Sequence, residues 1–115
     1  MDDHCIFCSI ANGTIPCKKA YEDADVIAFH DITPQAPVHI LIIPKKHIKS
    51  IADMEQGDLY LMEKLISTAN KLAKELKIND SGYRLVINKG QNGGQSVGHL
   101  HIHLLGGRQM KWPPG

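Results

Sequence analysis

With 115 residues and a formal net charge of +1, the chain is sized for one domain over residues 1–115, long enough to bury a core without covalent staples. Its 43% hydrophobic and 22% charged residues are ordinary for a globular protein. The near-neutral charge, with arginine only at Arg84 and Arg108, argues against a nucleic acid or an anionic membrane as partner. No run approaches the roughly 20 apolar residues that span a bilayer. The start, Met1-Asp2-Asp3-His4, is acidic where a signal peptide is basic, so a cytoplasmic location is expected. Cys5, Cys8 and Cys17 are an odd set with no disulfide framework. In a reducing compartment, Cys5-x-x-Cys8 reads as a metal-binding or redox pair.

In chain order, Cys5 to Asn12 is a short mixed segment that has room for one short helix, ended by Gly13 and Pro16. Two short strands follow, near Lys19–Tyr21 and Val26–His30, split by the polar turn Glu22-Asp23-Ala24-Asp25. Pro34 and Pro37 stiffen the connector from Asp31 to Pro37. The β-forming run His39-Ile40-Leu41-Ile42-Ile43, stopped by Pro44, predicts a central strand buried on both faces. From about Asp53 to Leu76 the chain predicts one long helix, capped by Asp53 or Asp58. Its apolar stripe is Met62, Leu65, Ile66, Ala69, Leu72, Ala73 and Leu76. Asn79 to Gly82 is a turn, Tyr83–Asn88 a strand, Gly90–Gly98 a glycine-rich loop, and the last strand runs from Val97 or His99 to Leu105. The expected class is α+β, with a five-stranded antiparallel sheet, one long helix and a short N-terminal helix.

The sharpest feature is His99-Leu100-His101-Ile102-His103-Leu104-Leu105. Alternation along a strand puts the three imidazoles on one face and Leu100, Ile102 and Leu104 in the core. Three imidazoles are too polar to bury without partners. They can be an incidental surface feature, ligands of a catalytic zinc, or a nucleophile buffered by its neighbours. The loop before them holds four glycines in nine positions, Gly90 to Gly98, together with the hydroxyl of Ser96. Backbone N–H groups in such a loop can cradle an anion beside a nucleophile.

At these residues the chain resembles the histidine triad superfamily, whose signature is His-φ-His-φ-His-φ-φ with φ hydrophobic. Phe29-His30-Asp31-Ile32, Gln35-Ala36-Pro37, Ile43 to Ile48, Gly93-Gly94-Gln95-Ser96-Val97, Leu105 to Met110 and the terminal Trp112-Pro113-Pro114-Gly115 resemble its histidine triad nucleotide-binding branch. The resemblance implies an adenosine 5′-phosphoramidase that needs no cofactor for catalysis, and a homodimer whose sheets join across the interface. It implies a nucleophile at His101, a phosphate-holding His103, a His39 that completes the hydrogen-bond chain behind His101, and a Ser96 that assists the leaving amine. It implies further nucleotide contacts from Asn88, Gly94, Gln95 and Val97. At the AMP-type nucleoside end it implies Asp31 as ribose ligand, with Phe7, Ile10, Phe29, His30 and Ile32 around the base. In zinc-carrying relatives Cys5, Cys8, His47 and His99 correspond to a structural zinc site. Gly98 stands where animal members commonly carry an aromatic residue. Rival readings are a catalytic-zinc enzyme, a dinucleoside polyphosphate hydrolase, and a non-enzymatic nucleotide-binding scaffold.

Overall fold

The computed structural model describes residues 5–115, so the acidic start read from the sequence lies outside the described residues. The elements are α1 (Ile6–Ala11), β1 (Lys19–Glu22), β2 (Val26–His30), β3 (Val38–Pro44), α2 (Leu59–Glu75), β4 (Tyr83–Ile87) and β5 (Ile102–Gly106). The five strands form one sheet in the order β1-β2-β3-β5-β4, and every pairing is antiparallel. The α+β class, the long helix and the short N-terminal helix are as expected from the sequence. Among the described residues no helix is long and apolar enough to cross a membrane.

Helix α2 covers one face of the sheet, where Leu61, Leu65, Ala69, Leu72 and Ala73 pack on Val26, Ala28, Ile40, Ile42, Leu100, Ile102 and Leu104. Helix α1 covers the other face, where Phe7, Cys8, Ile10 and Ala11 pack on Ile27, Phe29, Leu41 and Ile43. Strand β3 is therefore covered on both sides, which explains its unbroken apolar run. Alternation assigns odd-numbered β3 and β5 residues to the α1 face, so His39 and His103 project toward α1 and away from α2.

Two boundaries differ from the sequence reading. Strand β5 begins at Ile102, so His99 and His101 precede it. The register pairs Ile42 with Ile102, and two residues further Leu100 would face Pro44. Proline has no N–H to give a ladder. The Leu100 N–H instead donates to the Ile48 carbonyl at 2.7 Å. Helix α2 begins at Leu59, after two 3₁₀ turns at Ile51–Asp53 and Gln56–Asp58. Asp58 does not cap α2; its carboxylate accepts from Lys46 Nζ and from the Glu55 N–H of the turn before. Asp53 accepts from the Ser50 hydroxyl. The buried stripe of α2 includes Leu61 and Thr68, while Ile66 is 36% exposed and Met62 and Leu76 are half-buried.

Candidate functional site: a histidine face and a cysteine–histidine cluster

The hydrogen bonds of the histidines fix which ring nitrogen carries a proton. The Gln35 N–H donates to His39 Nδ1 at 3.0 Å, so neutral His39 carries its proton on Nε2. That nitrogen lies 2.9 Å from His103 Nδ1 and 3.5 Å from Asp31 Oδ2. His39 therefore stands behind His103 and not, as expected, behind His101, whose Nδ1 meets the His99 carbonyl. It donates to His103, which leaves His103 with Nε2–H as its outward donor. Burial, the largest cause, with charge on His101 and His39, pushes His103 down to about 4. Burial also lowers His39, against a smaller opposing pull from Asp31. Both rings are neutral donors near pH 7.

His101 Nδ1 lies 2.7 Å from the His99 carbonyl, an acceptor, so Nδ1 carries the proton and Nε2 keeps a lone pair. The ring is only 3% exposed. It stacks edge-on against Phe7 at 5.2 Å between centroids and 89° between planes, and lies 5.0 Å from the His103 ring. Alternation predicts this side chain on the face away from the Leu100, Ile102 and Leu104 core; in the folded chain it is itself a packing residue, against Phe7.

His99 faces elsewhere. Its Nε2–H donates to the Pro44 carbonyl at 2.8 Å, so Nδ1 carries the lone pair. That nitrogen lies 3.3 Å from Cys5 Sγ and 3.5 Å from Cys8 Sγ. His47 Nδ1 lies 3.2 Å from Cys8 Sγ. All four ligand atoms are within 4.8 Å of one another. Tetrahedral zinc with two sulfurs and two nitrogens requires ligand spacings of roughly 3.3–3.8 Å. Burial holds His99 down to about 4, the neutral form a metal needs. The Pro44 carbonyl is the outer hydrogen-bond partner that orients a ligating imidazole. These residues fit zinc.

Asp31, His39 and His103 also bring ligand-type atoms within 4.8 Å. They do not fit a metal, because the Gln35 N–H forces the His39 proton onto the nitrogen facing the group. The three triad rings thus do not converge on one ion. His99 belongs to the cysteine cluster, and His103 to the chain running back to His39.

The glycine-rich loop is pinned by its own polar side chains. Gln95 accepts from the Gly90 N–H and donates to the Lys49 and Val97 carbonyls. Asn88 Nδ2 donates to the Gly93 carbonyl at 2.6 Å. A Cβ at Gly93 would collide with the Lys89 carbonyl, and Gly94 has φ +75°, so the turn needs glycine at both. Ser96 is exposed, Val97 packs on the α1 face, and space beside Gly98 is open.

At the nucleoside end, Asp31 Oδ1 accepts from the Thr33 N–H at 2.8 Å, leaving Oδ2 toward His39. Phe7, Ile10 and Phe29 are buried together, with the Phe7 and Phe29 rings 5.5 Å apart. Ile32 is 98% exposed and His30 half-buried. The partners that decide the tautomers, namely the Gln35 N–H and the Pro44 and His99 carbonyls, are main-chain groups with no residue-type signal. The prolines around them were the nearest clue.

Residues 12–110 match the HIT domain family. The chain belongs to it. A zinc-binding protein of 14 kDa from Zea mays is 49% identical over 116 residues, covering 99% of this chain and 90% of that protein. The structure of a HIT family hydrolase from Legionella pneumophila superposes with a TM-score of 0.96 at 53% identity, covering 97% of this chain and all of that one. That of a histidine triad nucleotide-binding protein from Candida albicans gives 0.79 at 35% identity, covering 95% and 82%. As a HIT-family, hydrolase-like protein, the chain carries the five-stranded sheet and flanking helices of these structures.

The neutral state of His103 has a consequence for stability. Its pKa falls from 6.5 to about 4 on folding. Between those values the unfolded chain binds more protons than the folded one, so stability falls as pH drops from about 6.5 to 4. Thermal melts of His103→Asn are expected to start lower at pH 7 and to lose less than wild type by pH 4.5. An equal loss in both proteins would remove His103 as the cause.

Proposed function

We propose that this HIT protein is a nucleoside phosphoramidase that converts adenosine 5′-phosphoramidates to AMP and an amine. The observation that carries the reading is the His101 tautomer: proton on Nδ1, held by the His99 carbonyl, and lone pair on Nε2. His101 Nε2 attacks the α-phosphorus, the nitrogen–phosphorus bond to His101 forms, and the phosphorus–nitrogen bond to the amine breaks. The Ser96 hydroxyl assists proton delivery to the departing amine. Water then attacks the phosphorus and gives up one proton, which replaces the one delivered to the amine, and His101 leaves with its bonding pair restored to Nε2. His103 Nε2–H donates to a nonbridging phosphate oxygen, and His39 holds it in that tautomer. Asp31 accepts from the ribose hydroxyls, with Phe7, Ile10, Phe29, His30 and Ile32 around the base. The Gly94 to Val97 turn and Asn88 frame the phosphate.

Cys5, Cys8, His47 and His99 would hold a structural zinc, which when bound cross-links α1 to the ends of β3 and of the loop before β5. The zinc-binding name of the Zea mays relative supports this. A homodimer and a cytoplasmic location belong to the same reading. Strand β4 is a sheet edge, and Trp112 is exposed on the tail, which suits a second copy there.

The test is turnover on one preparation of adenosine phosphoramidate, a lysyl-AMP conjugate and diadenosine polyphosphates. The two phosphoramidates are expected to turn over at least about 100-fold faster, because binding specific to one transition state appears as a difference in kcat/KM. Preference for the polyphosphates would assign the other hydrolase activity.

A further inference from the structure

We propose that His99 is a positioning residue through which the Cys5–Cys8–His47–His99 metal cluster fixes the tautomer and tilt of the nucleophile. This rests on His101 as nucleophile, and it reaches beyond a zinc that only stabilises the fold.

Three threads lead from the cluster to His101. The first is the peptide between His99 and Leu100. Its carbonyl accepts from His101 Nδ1–H at 2.7 Å and so sets the tautomer. This peptide precedes β5, so no ladder pairing holds it. What holds it on the His99 side is the fully buried imidazole, tied to the Pro44 carbonyl and to the two thiols. The second thread runs to the same peptide from its other end. The Leu100 N–H donates to the Ile48 carbonyl at 2.7 Å, and Ile48 directly follows His47, another of the four ligands. Both ends of the peptide are therefore anchored at ligand-bearing segments.

The third thread is Phe7. It lies between Cys5 and Cys8 on the six-residue helix α1, too short to hold its place by helix propensity alone. Its ring meets His101 edge-on at 5.2 Å and His99 at 6.0 Å. Two ligands on either side of Phe7 clamp the ring that limits the tilt of the nucleophile. A closed four-ligand site thus joins the three segments that surround His101. Without it, their mutual placement rests on apolar packing, the His99–Pro44 and Leu100–Ile48 hydrogen bonds and long sulfur–imidazole contacts.

The experiment compares zinc-loaded wild type with His47→Ala and His47→Cys. His47 has no ring contact with His101 among the described residues, and cysteine at this position restores a ligand. The decisive readout is the His101 ring in long-range proton–nitrogen NMR correlation. Loaded wild type and His47→Cys are expected to show one tautomer, protonated on Nδ1. His47→Ala is expected to show exchange between tautomers. In single-turnover assays its rate of covalent adenylylation should fall about tenfold, with AMP affinity changed by less than about twofold. Should His47→Ala fail to fold, wild type stripped with a chelator and refilled with Zn²⁺ gives the same comparison. A folded, metal-free protein that keeps the single Nδ1–H tautomer and the wild-type adenylylation rate overturns the proposal. Adenylylation of a His101→Ala variant would instead overturn the nucleophile, while the tautomer comparison would stand by itself.

Discussion

Replacing His101 with alanine is expected to lower turnover by at least about three orders of magnitude, since a nucleophile split from its catalytic unit is not compensated by its neighbours. His103 cannot take over, because its Nδ1 accepts from His39 and its Nε2 carries the proton. His99 cannot either, because its lone pair faces Cys5 and Cys8. A denaturing gel of wild-type protein quenched with labelled phosphoramidate should show the covalently labelled chain, and the variant should show none. Retained hydrolysis in the variant would sink the assignment. The substitution also carries a structural cost. The ring is buried against Phe7 and bonded to the His99 carbonyl, so losing it should destabilise the fold by about 1–3 kcal/mol. AMP binding measured well below the melting point separates that cost from the loss of chemistry.

Removing the metal is expected to lower the melting temperature by about 10 °C or more. A ligand whose dissociation constant lies far below its free concentration adds several kcal/mol to the folded state, and each kcal/mol shifts a domain of this size by about 4 °C. Elemental analysis of protein purified without a chelator or a histidine tag should find about one zinc per chain. Cys5→Ser should reproduce most of the loss, because Cys5 Sγ sits 3.3 Å from the His99 lone pair and also caps α1. An unchanged melting temperature on complete metal removal would end the zinc reading. A protein that keeps its melting temperature but loses all activity would revive a catalytic metal.

Side-chain patterns carried the sequence reading where one periodicity dominated. The run from Val38 to Pro44 is apolar at almost every position, and a strand covered by a helix on each face has to be. The histidines alternate with Leu100, Ile102 and Leu104, and the leucine–isoleucine row does pack under α2. Boundaries were harder. The last strand is shorter than the alternation predicts because its limit is Pro44, a residue on a different strand, and register is a property of the pair. The long helix begins later than its apolar period predicts because Ser50 and Asp58 hold single 3₁₀ turns ahead of it, Asp58 also pairing with Lys46. The stripe keeps its phase, since Leu65, Ala69, Leu72 and Ala73 are buried and Met62 and Leu76 pack against the same core. It also takes in Leu61 and Thr68, the latter polar by type, and leaves Ile66 outside.

For the site, the sequence by itself determined which groups capable of chemistry the chain brings close in order: three imidazoles at period two, a glycine-rich turn ahead of them, and a Cys-x-x-Cys pair. Chemistry of that kind belongs to side chains, and side chains are what a sequence states. Only the tertiary structure decided how the three imidazoles divide their work. That division depends on which ring nitrogen meets an acceptor and which meets a donor. The deciding groups are the Pro44 and His99 carbonyls and the Gln35 N–H. Every residue except proline offers both kinds of main-chain group. Which one lies within 3 Å of a ring is therefore set by how β3, the loop before β5 and the Asp31–Pro37 connector are packed together, and by nothing in the local spelling of the chain.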